Sequence, residues 1–331
     1  LHLFANSIEK NVPHKGDPNV MYFSAGVHEP SGNKKEFVIP SNTTVYLENG
    51  AVLKGWLLLD SVENVRIQGH GMIYMAESGI LVKYSKNIVI DGITVLNPRY
   101  NTLTIGQSQN VRVSHVKSFS YQGWGDGFDF FCCKHILVDS VFLRNSDDCI
   151  AVYGHRWNYY GDTDDITVQN STLWADVAHP INIGTHGDSS TAGELLHNLR
   201  FQNIDILDHN EEDPDYQGCM TVNVGDNNLA RDILFDHIRV ERIHEGNLFH
   251  LWVMFNKKYN TSPGRGVENV TFSNISYSGL YTTPSVMQGY SSERMVRNIH
   301  FKNIIINGKH ITSLRNMNMQ VRPYVENLSI E

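Results

Sequence analysis

The chain has 331 residues, 41% of them hydrophobic, and a formal net charge of -8. That charge repels nucleic acid and anionic membranes, which weighs against a nucleic-acid-binding role. No apolar run approaches the roughly 18 residues needed to span a bilayer, so no membrane span is expected.

The first element is an extended stretch over residues 1–35, expected to cap the remainder of the chain. The chain starts at Leu1 rather than Met, so it is expected to have been processed. From residue 36 onward one pattern recurs: a polar residue, often Asn, then an aliphatic, any residue, and an aliphatic or Phe. It reads Asn64-Val65-Arg66-Ile67, Asn87-Ile88-Val89-Ile90, Asn110-Val111-Arg112-Val113, His135-Ile136-Leu137-Val138 and Asp165-Ile166-Thr167-Val168. It continues as Asn198-Leu199-Arg200-Phe201, Asp232-Ile233-Leu234-Phe235, Asn269-Val270-Thr271-Phe272, Asn298-Ile299-His300-Phe301 and Asn327-Leu328-Ser329-Ile330.

Each unit is a period-2 strand with alternate aliphatics on one side. The units start 23 to 37 residues apart, with no amphipathic helix between them and no tight turn every 8–12 residues. That spacing does not suit a βαβ sheet, and a hairpin-built sandwich would need the tight turns that are absent. Stacked coils remain, each burying its aliphatics on its neighbours. The predicted fold is all-β, a single-stranded right-handed parallel β-helix forming one domain over 1–331. The recurring Asn is expected to turn the chain or to stack in a ladder.

The coils lengthen between residues 120 and 230, and added length in a solenoid goes to loops on one face. There the chain reads Gly125-Asp126-Gly127-Phe128-Asp129 and, one coil later, Asn145-Ser146-Asp147-Asp148-Cys149. Adjacent coils lie about 4.8 Å apart, so Asp126, Asp147 and Asp148 are expected to converge. Crowded carboxylates repel, and one of them then keeps its proton at working pH. An acid beside ionised partners suits inverting glycoside hydrolysis, across a gap of roughly 6.5–9.5 Å. Calcium is the rival use of such a cluster. Because neighbours on a straight strand face opposite sides, Asp147 and Asp148 can share a groove only where the strand bends. The four cysteines form no C-x-x-C motif and are read as buried free thiols, with adjacent Cys132 and Cys133 on opposite faces.

In this order the residues resemble the polysaccharide-hydrolase clan that joins glycoside hydrolase families 28 and 49. The resemblance runs over roughly residues 36 to 331. It starts with the stretch from Ile39 to Gly55 and with Gln68-Gly69-His70-Gly71. Family 28 carries N-T-D-G-x-D before its D-D pair; here Trp124-Gly125-Asp126-Gly127-Phe128-Asp129 keeps the aspartates without the Asn-Thr. The resemblance implies a three-aspartate mechanism: Asp148 as general acid, with Asp126 and Asp147 holding and deprotonating the water. Ala178-His179-Pro180 resembles the family's G-H-G, which would set His179 beside the acid. Asp129, Arg156, Trp157, Asn182 and His186 join it as expected substrate-binding or supporting residues. Trp157, Tyr159 and Tyr160 are subsite or core candidates, and Trp252 is expected in the core.

Polygalacturonases carry an R-I-K motif for the uronate carboxylate. The corresponding stretch, Gly218-Cys219-Met220-Thr221-Val222-Asn223-Val224, lacks both cations, which favours a neutral sugar or an acid held by other residues. The expected partner is a polysaccharide or oligosaccharide, of a pectin type or a neutral α-glucan type. No cofactor and no metal are expected, and the enzyme would be a monomer, secreted or in the periplasm or at the cell surface. A polysaccharide lyase and a non-catalytic carbohydrate-binding β-helix are the alternatives.

Overall fold

In the computed structural model, residues other than 1, 7, 10, 281 and 282 are described. Two long parallel sheets face each other, and every coil contributes to both. The front sheet has 11 strands stacked in chain order, from Glu36–Val38 to Met319–Val321. Its central members are Phe128–Phe131, Ile150–Tyr153, Ile181–Ile183, Met220–Val224 and Phe249–Val253. The back sheet has 19 strands and contains the repeated pattern found in the sequence. The coils wind as a right-handed parallel β-helix, the hand that a right-twisted strand feeding a parallel neighbour imposes.

Register explains the repeat. Ile88 pairs with Val65 on one side and Val111 on the other, and the ladder continues through Ile136, Ile166, Leu199, Ile233, Val270, Ile299 and Leu328. Two residues on, Phe201, Phe235, Phe272 and Phe301 stack at centroid separations of 5.1, 4.8 and 5.2 Å. Each such buried side chain contributes about 1.5–3 kcal/mol. No coil could bury these groups alone.

The leading polar residue both turns the chain and stacks. Asn64, Asn87, Asn110, Asn269, Asn298 and Asn327 all have φ between 55 and 59°, a left-handed conformation that Asn tolerates better than most side chains. Asn87 donates to Asn64 at 3.0 Å, Asn110 to Asn87 at 3.2 Å, and Asn327 to Asn298 at 3.1 Å. Each amide thus satisfies its neighbour on the next coil.

Within the stretch expected to cap the helix, residues 20–28 already supply strands Val20–Phe23 and Gly26–His28, paired with Thr44–Leu47 and Ala51–Leu53. Ahead of them the chain lies against the back sheet: Lys117 donates to Asn6 and Tyr46 to Glu9, and Phe4 packs on Phe119 and Phe142. The four cysteines are free and buried. Cys133 joins the main core, whereas Cys132 joins a separate cluster with Phe131, Tyr153 and Tyr159 under the loop after Tyr153.

Candidate active site

The three aspartates sit where coils bend into the front sheet. Strand Phe142–Asn145 ends and Ile150–Tyr153 begins, so Asp147 and Asp148 lie in the bend between them. That break in alternation lets both reach one patch. Asp126 stands one coil below, between two glycines with no room for a Cβ: on Gly127 it would overlap the Cys149 carbonyl, and on Gly125 the Ser146 hydroxyl. Gly127 N donates to the Asp148 carbonyl at 2.8 Å, locking the two coils at the carboxylates. Oxygens of Asp126, Asp147 and Asp148 come within 4.8 Å of one another. This is closer than the gap expected for a water held between acid and base.

Asp148 is buried and takes four hydrogen bonds. Its Oδ1 accepts from His179 N at 3.1 Å and His179 Nδ1 at 2.6 Å, and its Oδ2 from Tyr153 Oη and Asn182 Nδ2, both at 2.9 Å. Burial alone would raise its pKa, but the His179 charge and these donors outweigh burial and hold the carboxyl below the usual range. Burial pushes His179 toward neutrality; the Asp148 carboxylate overcomes it and lifts the imidazole to about 9. Nε2 of His179 meets the Tyr216 carbonyl, so both ring nitrogens face acceptors, as an imidazolium requires.

The carboxyls raised above their usual range are those of the neighbours of Asp148. Asp147, half-buried, is pushed up to about 6 by burial and then by the Asp148 charge. Asp126 is raised well above the carboxylate range by burial and by Asp129, Asp147 and Asp148. Their oxygens lie within 4.8 Å of each other, and carboxyls that close titrate as a pair rather than singly. Four donors occupy the lone pairs of Asp148, so a hard cation at this cluster would draw its ligands from Asp126 and Asp147.

The supporting residues named from sequence are all gathered here, in unequal roles. His179 and Asn182 hold Asp148 from full burial. Asp129 is buried, bonded to Asn101, and raised well above its usual value by burial and the neighbouring carboxylates. Arg156 lies over the Trp157 ring at 5.4 Å, and its Nη1 is 3.4 Å from His186 Nδ1. Burial and Arg156 lower His186 to about 3, so it is neutral. The His186 ring stands edge-on to Tyr153 at 5.0 Å, linking Arg156 to the Asp148 shell.

Trp157 is 57% exposed at the rim, and Tyr160 is exposed too, whereas Tyr159 is buried against Phe131. Trp252, expected in the core, instead faces outward, half-buried, with Arg322 5.2 Å over its ring. Odd and even strand positions swap faces there: Leu251 and Val253 take the core.

Sequence reasoning missed Tyr153, Tyr216 and Trp124. Tyr153 occupies the outward register of strand Ile150–Tyr153, a position that period-2 counting could have flagged. Tyr216 belongs to a loop and left no periodic signal. Trp124, 74% exposed beside Asp126, was legible as an aromatic in the Gly-Trp-Gly-Asp turn. Thr221 and Asn223 are completely buried, so neither side chain presents a surface to a ligand.

Comparison with known proteins fits this geometry. The sequence model for "Glycosyl hydrolases family 28" matches residues 25–322. A polygalacturonase of Chamaecyparis obtusa is 25% identical over 36% of this chain and 22% of its own length. A probable endopolygalacturonase D of Neosartorya fischeri is 24% identical over 59% of this chain and 36% of its own. The chain thus spans well under half the length of these curated relatives. Among solved structures, the family 28 exopolygalacturonase of Yersinia enterocolitica superposes with a TM-score of 0.68 at 13% identity, covering 87% of this chain and 66% of that one. Dex49A of Penicillium minioluteum gives 0.59 at 15% identity, over 95% and 60%. These two likenesses are of fold. The family match over nearly the whole chain is of sequence, and by it the chain belongs to glycosyl hydrolase family 28.

Proposed function

We propose that this protein hydrolyses glycosidic bonds of a pectin-type polysaccharide outside the cell, with Asp147 as general acid and Asp126 as general base. The observation that carries this reading is the close approach of two half-buried carboxyls, Asp126 and Asp147, beside a third, Asp148, that four donors hold in place. Asp148 Nα donates to Asp147 Oδ1 at 3.0 Å, which leaves Oδ2 to carry the proton.

In the reaction Asp147 gives its proton to the leaving glycosidic oxygen as the anomeric C–O bond breaks. Water attacks the anomeric carbon and passes its proton to Asp126, and Asp126 then returns a proton to Asp147. Atoms and charges balance, and no cofactor is required. Asp148 keeps a fixed negative charge beneath the pair; it raises the proton affinity of both and stabilises positive charge developing on the sugar. His179 holds that charge in place.

The carboxyl spacing requires the water to sit beside the pair rather than between its members. The pectin-type substrate is supported by family membership and by the named polygalacturonase relatives. A polymer of that kind is too large to enter a cell intact, which favours a secreted, periplasmic or surface location. The test is release of reducing ends from polygalacturonate, rhamnogalacturonan, dextran and pullulan. Release from a pectin-type polymer, lost in Asp147→Asn, is expected; release from the α-glucans alone would reverse the substrate assignment, and release from none would end the hydrolase reading.

A further inference from the structure

In a solenoid that cuts the middle of a long polymer, the substrate lies along the outer face of a sheet, so side chains pointing out of that face meet solvent. The front sheet does not offer such a track. Ile181, Ile183, Met220, Val222, Phe249 and Leu251 point into the core, so Asn182, Thr221, Asn223 and His250 point out. All four are 0% exposed. Register places Asn182, Thr221 and His250 side by side across three coils on the side of Asp148 that leads to the C-terminus.

Two loops make this roof. One runs from residue 209 to 218 and enters the strand Met220–Val224; the other runs from 254 to 265 and leaves the strand Phe249–Val253. In parallel strands these are opposite edges of the sheet, so the loops approach each other across its face. They meet there. Tyr216 and Tyr259 stack with centroids 4.3 Å apart and planes at 24°.

The bridge is fastened at both ends. Tyr216 Oη accepts from Asn182 Nδ2 at 2.8 Å and lies 2.8 Å from Thr185 Oγ1, and Thr221 Oγ1 donates to the Gly218 carbonyl at 2.8 Å. On the other loop Asn260 Nδ2 donates to the Thr185 carbonyl at 2.5 Å. Lys258 Nζ, 4.8 Å over the Tyr259 ring, reaches Asp213 at 3.4 Å and ties the second loop back to the first.

The other flank is roofed as well. Outward-facing Asp129, Phe131 and Ala151 are buried, and Tyr159 stacks on Phe131 with Trp157 edge-on to the same ring at 5.2 Å. Between the two roofs the half-buried Asp126 and Asp147 stand with the rim aromatics Trp124 and Trp157. A polymer threaded through would have to pass beneath the tyrosine bridge, where the space is filled by Asn182, Thr185 and Thr221.

We propose that this site takes the end of a polysaccharide chain and not an internal segment, so that cutting is exo, with the Tyr216–Tyr259 bridge as the stop. This rests on the reading of Asp126 and Asp147 as the hydrolytic pair, but the stop itself is a matter of shape. It predicts a short product of one size from the first turnovers.

The first measurement is on the full chain with polygalacturonate: product size by anion-exchange chromatography, alongside viscosity and reducing ends. The expected result is a single short product accumulating while viscosity barely falls. A ladder of intermediate sizes with rapid loss of viscosity overturns the proposal. Tyr259→Ala removes the outer half of the bridge without touching Asp148 or its donors, and intermediate sizes should then appear. A folded Tyr259→Ala that still yields one product size also overturns it.

The second measurement does not need turnover. Asp147→Asn should bind a galacturonate oligomer with free ends at least tenfold more tightly than the same oligomer carrying bulky groups at both ends. Equal binding refutes the stop even if the protein hydrolyses nothing. A wild type that binds free ends selectively but releases no reducing ends refutes the hydrolase reading and leaves the stop standing.

Discussion

His179 Nδ1 stands 2.6 Å from Asp148 Oδ1 with the imidazole fully buried, and this pair separates one aspartate whose carboxyl is held below its usual range from two whose carboxyls are raised above it. An ionised carboxylate with four donors has little reason to accept a proton. The same charge makes its neighbours keep theirs.

Asp147→Asn and Asp148→Asn should therefore fail differently. Asp147→Asn removes the acid and one member of a repelling cluster, so turnover should fall by about 10²–10⁴-fold with melting temperature unchanged or higher. Asp148→Asn leaves a buried imidazolium without its counter-charge, a loss of about 3–5 kcal/mol when a buried pair is broken, and melting temperature should fall along with turnover. Kinetics and thermal denaturation of the two purified variants check this. Equal melting temperatures would show that the His179 pair contributes no stability.

Two pH dependences should separate. Activity needs one proton on the Asp126–Asp147 pair, so kcat should fall in acid, where both carboxyls are protonated, and fall again at a pH high enough to strip the pair. Stability tracks the other pair. His179 is raised from 6.5 to about 9, so its contribution is complete below 6.5 and is lost as pH rises toward about 9. Asp148 is lowered from 3.8, so its contribution is present above 3.8 and is lost in stronger acid, through its depressed value. Chemical denaturation across pH should show a plateau between 3.8 and 6.5 from this pair, absent in His179→Ala.

Product stereochemistry tests the role of Asp126. If Asp126 deprotonates water, the first product anomer seen by proton NMR is inverted relative to the bond cut. The short carboxyl spacing makes the alternative concrete: a retained first product would mean that Asp126 attacks the sugar itself. We expect inversion, in line with the single-displacement mechanism that the family resemblance implies.

Arg156 has no carboxylate within ion-pairing distance among the described residues, whereas Arg231 and Lys258 are paired with Asp232 and Asp213. On the proposed pectin-type substrate, Arg156, beside the exposed Trp157, would meet a uronate at the rim. Arg156→Gln should raise KM on galacturonate oligomers about tenfold, or ~1.4 kcal/mol, with a smaller change in kcat. Arg156→Lys should recover part of the loss, because it keeps the charge but not the planar fork. Steady-state kinetics on both variants suffice, and an unaltered KM in Arg156→Gln would remove Arg156 from recognition.

The sequence by itself determined the coil. Aliphatics at a fixed place every 23 to 37 residues can be buried only by stacking, and Asn at the turn is dictated by a backbone that needs positive φ in coil after coil. It also determined that Asp126, Asp147 and Asp148 would meet, because one coil of separation is one strand spacing. Which carboxyl is held down and which are pushed up was decided by tertiary structure alone. That depends on donors from Tyr153, Asn182 and His179, up to 34 residues away, and hydrogen bonds across coils leave no periodic trace. The roof over the front sheet was decided in the same way. Tyr216 and Tyr259 lie 43 residues apart on loops of irregular length, and only the closing of the coils brings their rings together.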